Sequence, residues 1–276
     1  MFKKTIFALL LLASALLAGK FPVSSIEYSV TLKADKFQNG MSDIEAFKKS
    51  LFENIAVARL NDDSVKLDSE EIVSFWDTED QLFSKQNIIV RLRGQGNKFE
   101  VTLKYRGANQ ETAENWDLLS SDKAKSKTEI DRYVNQDAFS RSITVTTNQD
   151  AINAKMLLEM FPGLKEYGFT LEKEIKKINN FSVNSVNYEI GEYRFGAEKA
   201  KKKTTTSNFD LTVWKCANGK VVTAQLSWKI RNEGIEMKSA TDHAREVMEK
   251  LTQVTEWADA NPKTKTSISY DANSCK

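Results

Sequence analysis

The stretch "FWDTEDQLFSKQNIIVRLRGQGNKFEVTLKYRG", residues 75–107, holds two segments with a two-residue period. In residues 87–93, Ile88, Val90 and Leu92 alternate with Ile89, Arg91 and Arg93. In residues 98–106, Phe99, Val101, Leu103 and Tyr105 alternate with Glu100, Thr102, Lys104 and Arg106. Successive side chains of a strand point to opposite faces, so each segment reads as a strand with one apolar and one charged face. The intervening "GQGN" (94–97) has the composition of a turn, which makes 87–106 a β-hairpin. Arg91 and Arg93 then share a face, as do Lys104 and Arg106. Either bulk water wets these faces, or they line a site for an anionic ligand.

The pattern extends outward. Residues 24–33 alternate Ile26, Tyr28, Val30 and Leu32 with Glu27, Ser29, Thr31 and Lys33. Residues 127–133 place Glu129 and Asp131 on one face, and residues 170–178 do the same with Glu172, Glu174 and Lys176. A second hairpin is expected over 209–230, turning at "ANGK". Three segments have helical spacing instead: 42–57, opened by a Ser42–Glu45 capping box, then 150–161 and 239–257. Each has a single apolar stripe and is expected to pack on a sheet. The basic stretch 197–208 reads as a solvated connector or as a lid over phosphate. An open sheet could show its charged faces to bulk water, and a barrel with helices outside could turn them inward. Alternation alone does not choose between the two.

Bulk properties narrow the classes. The chain has 276 residues, 41% of them hydrophobic and 28% charged, as in ordinary globular proteins. Residues 1–19 carry Lys3 and Lys4, an apolar run from Thr5 to Ala18, and Ala13 and Ala15 in A-x-A spacing. They are expected to be an export signal, since the run is short for a span, which needs about 20 apolar residues. Residues 20–276 are then one domain in a periplasmic or secreted protein. Losing Lys3 and Lys4 leaves 38 basic residues against 38 acidic ones. A nucleic-acid-binding surface needs a clear basic excess, so that class is discounted and any anion site must be local. Cys216 and Cys275 are the only cysteines, and export makes a bridge between them open to formation. One histidine and two cysteines do not supply a usual zinc site.

The order of these pieces resembles the CYTH superfamily, the triphosphate tunnel enzymes. The resemblance rests on the aromatic-Asp-Thr element at Trp76–Thr78, the R-x-R of Arg91 and Arg93, and the T-L-K ending in Lys104. "EIDRY" (129–133) and "AQLSWK" (224–229) are similar to later family elements. The resemblance implies an α+β fold: an eight-stranded antiparallel tunnel-like β-barrel with helices packed outside. By position it implies phosphate binding by Arg91, Arg93, Lys104, Lys176 and Lys229. It implies Mg or Mn held by acids drawn from Glu27, Glu129, Asp131, Glu172 and Glu174. Guanidinium forks suit phosphate oxygens, and carboxylates suit a hard divalent cation.

The chain also departs from that pattern. Ser29 stands where the first strand of the family has its second acid, and Gln225 where a Glu is common. Three readings stay open at this level. One is a metal-dependent triphosphatase, another a tunnel that binds a phosphorylated or polyphosphate anion without turnover, and the third an exported structural or partner-binding domain.

Overall fold

The structure is a computed structural model that describes residues 20–54, 67–189, 208–231, 237–260, 264–271 and 273–276. The expected export signal and most of the basic stretch 197–208 lie outside the described residues, as does the end of the first expected helix. Nine strands close into a barrel. In chain order they are β1 (Ser25–Leu32), β2 (Ser69–Thr78), β3 (Ile88–Gln95), β4 (Lys98–Gly107), β5 (Lys125–Arg132), β6 (Asp137–Thr147), β7 (Ile175–Glu189), β8 (Asn208–Lys215) and β9 (Val221–Arg231). Around the ring they run β1-β5-β6-β4-β3-β2-β7-β8-β9.

The expected α+β barrel is therefore present, with nine strands rather than eight and one parallel pairing. β1 pairs β5 in parallel and β9 antiparallel. An odd number of strands cannot alternate direction all the way round a closed ring, so one neighbouring pair must be parallel. The β3–β4 hairpin turns on two residues, Gly96 and Asn97, and Gly96 takes φ +59°, a conformation that costs glycine little. The second hairpin, β8–β9, turns at Gly219 with φ +85°.

The aromatic-Asp-Thr element ends β2. Asp77 is 1% exposed, and its carboxylate accepts backbone N–H groups from Thr78, Phe83 and Ser84 at 2.8, 2.9 and 3.0 Å. Those bonds fold residues 79–87 back so that β3 can start beside β2.

Helices cover the outer wall. α1 (Met41–Asn54) and α4 (Met237–Gln253) pack Ile44, Phe47, Leu51, Ala244, Val247 and Leu251 against Tyr28, Val30, Leu211, Leu226 and Trp228. α3 (Ala154–Met160) and the turn of 3₁₀ helix after it, Pro162–Tyr167, pack Leu157, Phe161 and Leu164 against Val90, Leu92, Val101, Leu103 and Ile143. On β1, β3, β4 and β9 the apolar strand faces thus meet helices and the charged faces turn inward, whereas β2, β7 and β8 also turn Val73, Phe75, Val183 and Trp214 inward. Two short helices, α2 (Gln110–Asn115) and α5 (Lys265–Tyr270), have no periodic stripe in the sequence that announces them. No helix among the described residues is long and apolar enough to cross a membrane.

Two local expectations are corrected. α1 starts at Met41 after Gly40 (φ +70°), so Ser42 lies inside its first turn and donates to the Asn39 carbonyl at 3.2 Å. Asp43 accepts the Asn39 N–H at 2.7 Å, which takes the place of the Ser42–Glu45 box. The strand expected from Thr170 begins only at Ile175, because residues 171–173 form a turn.

Candidate functional site

The barrel encloses a cavity of about 460 Å³. Of the residues proposed from sequence, Arg91, Arg93, Lys104, Lys229, Glu27, Glu129 and Asp131 line it. Lys176, Glu172 and Glu174 do not. Glu172 lies in the turn before β7, and Lys176 is an exposed residue near the start of β7. Its Nζ is 3.3 Å from Glu79 and 3.7 Å from Glu174, an ion-paired cluster in solvent rather than in the tunnel. The turn at 171–173 takes Glu172 out of the strand, and Lys176 lies at the start of β7, beyond the β2–β7 register shift that separates it from the cavity-lining Val183.

The cavity wall holds eight basic side chains and four acidic ones. Beyond the residues already named, the structure adds Arg106, Lys125, Lys127, Lys265 and Glu100 to the charged lining. The first three were within reach of sequence reasoning, since Arg106 shares a strand face with Lys104, and Lys125 and Lys127 share one with Glu129. Lys265 was not, because it belongs to α5 and no pattern marks that helix.

Pairing within the wall is dense. Lys104 and Arg106 donate to one oxygen of Asp131, at 2.9 and 2.6 Å. Lys229 is 2.7 Å from Glu129 and 3.4 Å from Glu27, and Lys127 is 2.7 Å from Glu129. Ser25 also donates to Glu129, at 3.0 Å. Arg93 pairs with Glu71. Arg91 differs: its Nε is buried and has no hydrogen-bond partner among the described residues.

The charges respond to this enclosure. Burial pushes the Glu129 carboxyl up, but Lys229, Lys127 and Lys104 outweigh it and hold the group at about 2. Burial acts on Asp131 in the same way and is outweighed by Lys104 and Arg106, so that carboxyl stays well below the usual range. Burial pushes Lys104 down, with Arg106 adding to it and Asp131 opposing. Burial also brings Lys265 down to about 8, with Arg93 and Arg91 adding to the effect while Glu27 and Asp131 oppose it.

The donor set answers poorly to a divalent cation. Glu27 and Asp131 are register partners across β1–β5, a carboxylate pair of the kind a metal uses. Each is already held by an ammonium or guanidinium group, as is Glu129. Ser29 and Gln225 both line the cavity and add no carboxylate to it. Among the described residues no three acidic, histidine or cysteine side chains gather where they could hold one ion.

α5 lies beside one wall of the cavity and contributes Lys265 and Thr266 to it. The bridge between Cys216 and Cys275 is formed, with a Cα–Cα distance of 5.5 Å. Asn179 donates to the Ser269 and Asp271 carbonyls at 2.7 and 3.3 Å, and Asn218 to the Cys275 carbonyl at 3.1 Å. The Tyr270 ring meets Phe75, and Lys265 Nζ stands 5.7 Å from the Trp214 ring centre.

No family model and no curated protein matches the chain. Among solved structures it is similar to a candidate adenylate cyclase from Bacillus halodurans, at 13% identity and a TM-score of 0.46, over 89% of this chain and 96% of that one. It is also similar to a candidate adenylyl cyclase from Hippeastrum with a dominant triphosphatase activity, at 8% identity and a TM-score of 0.44, over 90% and 95%. A candidate adenylate cyclase from Vibrio parahaemolyticus follows at 12% identity and a TM-score of 0.38, over 89% and 97%. The coarse architecture expected from sequence, an α+β barrel that is closed and has helices outside, is present, with nine strands and one parallel pairing.

Proposed function

We propose that the barrel binds a phosphorylated or polyphosphate anion, and that it does so without turning the anion over. The observation that carries this reading is the twofold excess of basic over acidic side chains in one cavity, with the buried Arg91 Nε left to a ligand. Arg91 and Arg93 offer guanidinium forks, and Lys104 and Lys229 offer ammonium charges that an anion can draw from their carboxylate partners. Residues 20–276 form the binding domain in this reading. Residues 1–19 direct its export to the periplasm or the medium, a step checked by the N-terminal sequence of the protein recovered outside the cytoplasm.

A resident Mg or Mn would supply charge neutralisation at the phosphate and a water activated for attack. Glu27, Glu129 and Asp131 are the residues nearest to such a role, and their pairing with lysine and arginine speaks against it. Calorimetric titration with tripolyphosphate in EDTA is the test. Binding is expected in the wild type, with a loss of at least about tenfold in Arg91→Ala or Lys104→Ala, the scale of one buried charge-assisted contact. No binding in EDTA or with Mg would sink the reading. Phosphate release with Mg or Mn that both variants abolish would replace it with the triphosphatase.

A further inference from the structure

The apolar inner faces of β2, β7 and β8 have an occupant. Phe75, Phe181, Val183 and Trp214 form one cluster with Cys216, and Tyr270 and Cys275 of the C-terminal segment pack against it. That segment, which carries α5, stands between two spaces. Lys265 and Thr266 line the charged cavity, whereas Ile268, Asp271, Asn273 and Ser274 line a second space of about 400 Å³. The same faces of β1 and β9 bound both: Ser29 and Gln225 line the first, Thr31 and Thr223 the second. α5 thus stops the bore between them.

Three contacts hold this stopper. The Tyr270 and Phe75 rings meet at 6.3 Å between centres, Asn179 donates to the Ser269 and Asp271 carbonyls, and Cys275 is bonded to Cys216. One contact opposes it. Lys265 enters a cavity where Arg91 and Arg93 already stand, and no carboxylate among the described residues pairs with it. Burial lowers the pKa of its ammonium, and the two arginines lower it further, which is their repulsion read at Lys265. The Trp214 ring, 5.7 Å from Nζ, offsets part of this.

We infer that the C-terminal segment is a redox-sensitive stopper: the Cys216–Cys275 bridge keeps it seated, and once a dithiol opens the bridge it stays seated only while an anion in the cavity joins Lys265 to Arg91 and Arg93. This rests on the anion-binding reading above and adds its regulation. Cys216 is 3% exposed and Cys275 only partly buried, so Cys275 Sγ is the sulfur within reach. A thiolate of the dithiol attacks it, and Cys216 leaves as a thiolate and takes up a proton. The second thiol then displaces Cys275 and closes the reagent's own disulfide, so that two electrons pass to the protein.

The test reads amide exchange over residues 264–276, with and without a dithiol and with and without tripolyphosphate. Calorimetry measures tripolyphosphate binding to the oxidised protein alongside. Exchange in the oxidised protein is expected to be slow in both conditions. Reduction without anion should speed it at least about tenfold. Tripolyphosphate should then slow it at least about fivefold. Reduced Lys265→Met should exchange more slowly than the reduced wild type without anion, and tripolyphosphate should change its rate less than about twofold.

Exchange that reduction leaves unchanged overturns the inference, since Tyr270 and Asn179 then hold the segment unaided. Loss of protection in β3 and β4 on reduction overturns it as well, because the bridge would then hold the whole barrel. So does equal slowing by the anion in the wild type and in Lys265→Met, which would be general stabilisation. If tripolyphosphate binds the oxidised protein while one of these results is found, the stopper alone is refuted. If it does not bind, the anion-binding reading fails and closure by the anion fails with it.

Discussion

Lys104 donates to Asp131 across the intervening strand β6, Nζ to Oδ2 at 2.9 Å, and Arg106 reaches the same oxygen at 2.6 Å. One carboxylate thus neutralises two cations that face the cavity. Asp131→Asn removes that charge and leaves Lys104 and Arg106 to repel each other. Breaking a buried pair costs about 3–5 kcal/mol, so the midpoint of denaturant unfolding should fall clearly. Affinity for tripolyphosphate should rise several-fold at the same time, because the anion no longer competes with an internal carboxylate. Stability and affinity therefore move in opposite directions. A variant that loses both would show that Asp131 works for the ligand rather than against it, as a metal ligand would.

Glu129 gives the site a pH dependence. Its folded-state value of about 2 lies below the ordinary 4.5 because three lysines hold the carboxylate ionised, although burial alone would raise it. As pH falls, the unfolded chain takes up this proton first. The stability from Glu129 is thus fully present above about pH 4.5 and is lost as pH drops toward 2, with Asp131 acting in the same direction. Glu129→Gln should be less stable at pH 7 and show a shallower decline between pH 5 and pH 2, read by denaturant titration at each pH. Equal slopes in the two proteins would mean that Glu129 is not held by its lysines.

Much of this site could be read from residue order, for a definite reason. Arg91, Arg93 and Lys104 lie in strands whose two-residue period is unbroken, and period alone puts them on one face. That the face is inside needed the structure, because the apolar side of each strand could equally have been the core of an open sheet. What settles it is the covering of the apolar side by α1, α3 and α4. Lys176 misled because it stands at the start of β7, beyond a register shift against β2 that alternation does not reveal, and Glu172 because a turn of charged residues looks like a strand in alternation. Phe75 and Trp76 are adjacent aromatics in one strand, and only Phe75 points inward. Trp76 packs with the outer core beside Val90 and Leu103.

Lys265 adds a second, higher pH response. Burial and the arginines at Arg93 and Arg91 bring its ammonium down to about 8. Below that pH it is a cation in the cavity; above it the group is neutral and attracts an anion less. Phosphate affinity should therefore fall as pH rises through about 8. Lys265→Met should bind more weakly at pH 7 and approach the wild type by pH 9. Taking the ratio of the two proteins at each pH cancels the titration of the ligand itself. A constant ratio from pH 7 to 9 would place Lys265 outside the binding site.

The position of Lys265 depends in turn on residues that are distant in sequence. Cys275 is joined to Cys216 at the end of β8, a separation of 59 residues, and the bridge ties the segment 264–276 to the barrel. Tyr270 against Phe75 and the two bonds from Asn179 give it further hold. Closing a loop of this length restricts the unfolded chain, and removing such a bridge costs about 2–4 kcal/mol. The double variant Cys216→Ser, Cys275→Ser should lose stability on that scale. It should also exchange amide hydrogens faster over 264–276 than the wild type does, while β3 and β4 keep their relative protection. Treating the wild type with a dithiol, which takes the disulfide onto itself and leaves two thiols, should reproduce both effects. Phosphate affinity at pH 7 should then drop toward the value for Lys265→Met, since a helix free to leave the wall carries its ammonium away. Unchanged affinity together with faster exchange would mean that Tyr270 and Asn179 suffice to hold Lys265 in place, and that the bridge serves stability alone.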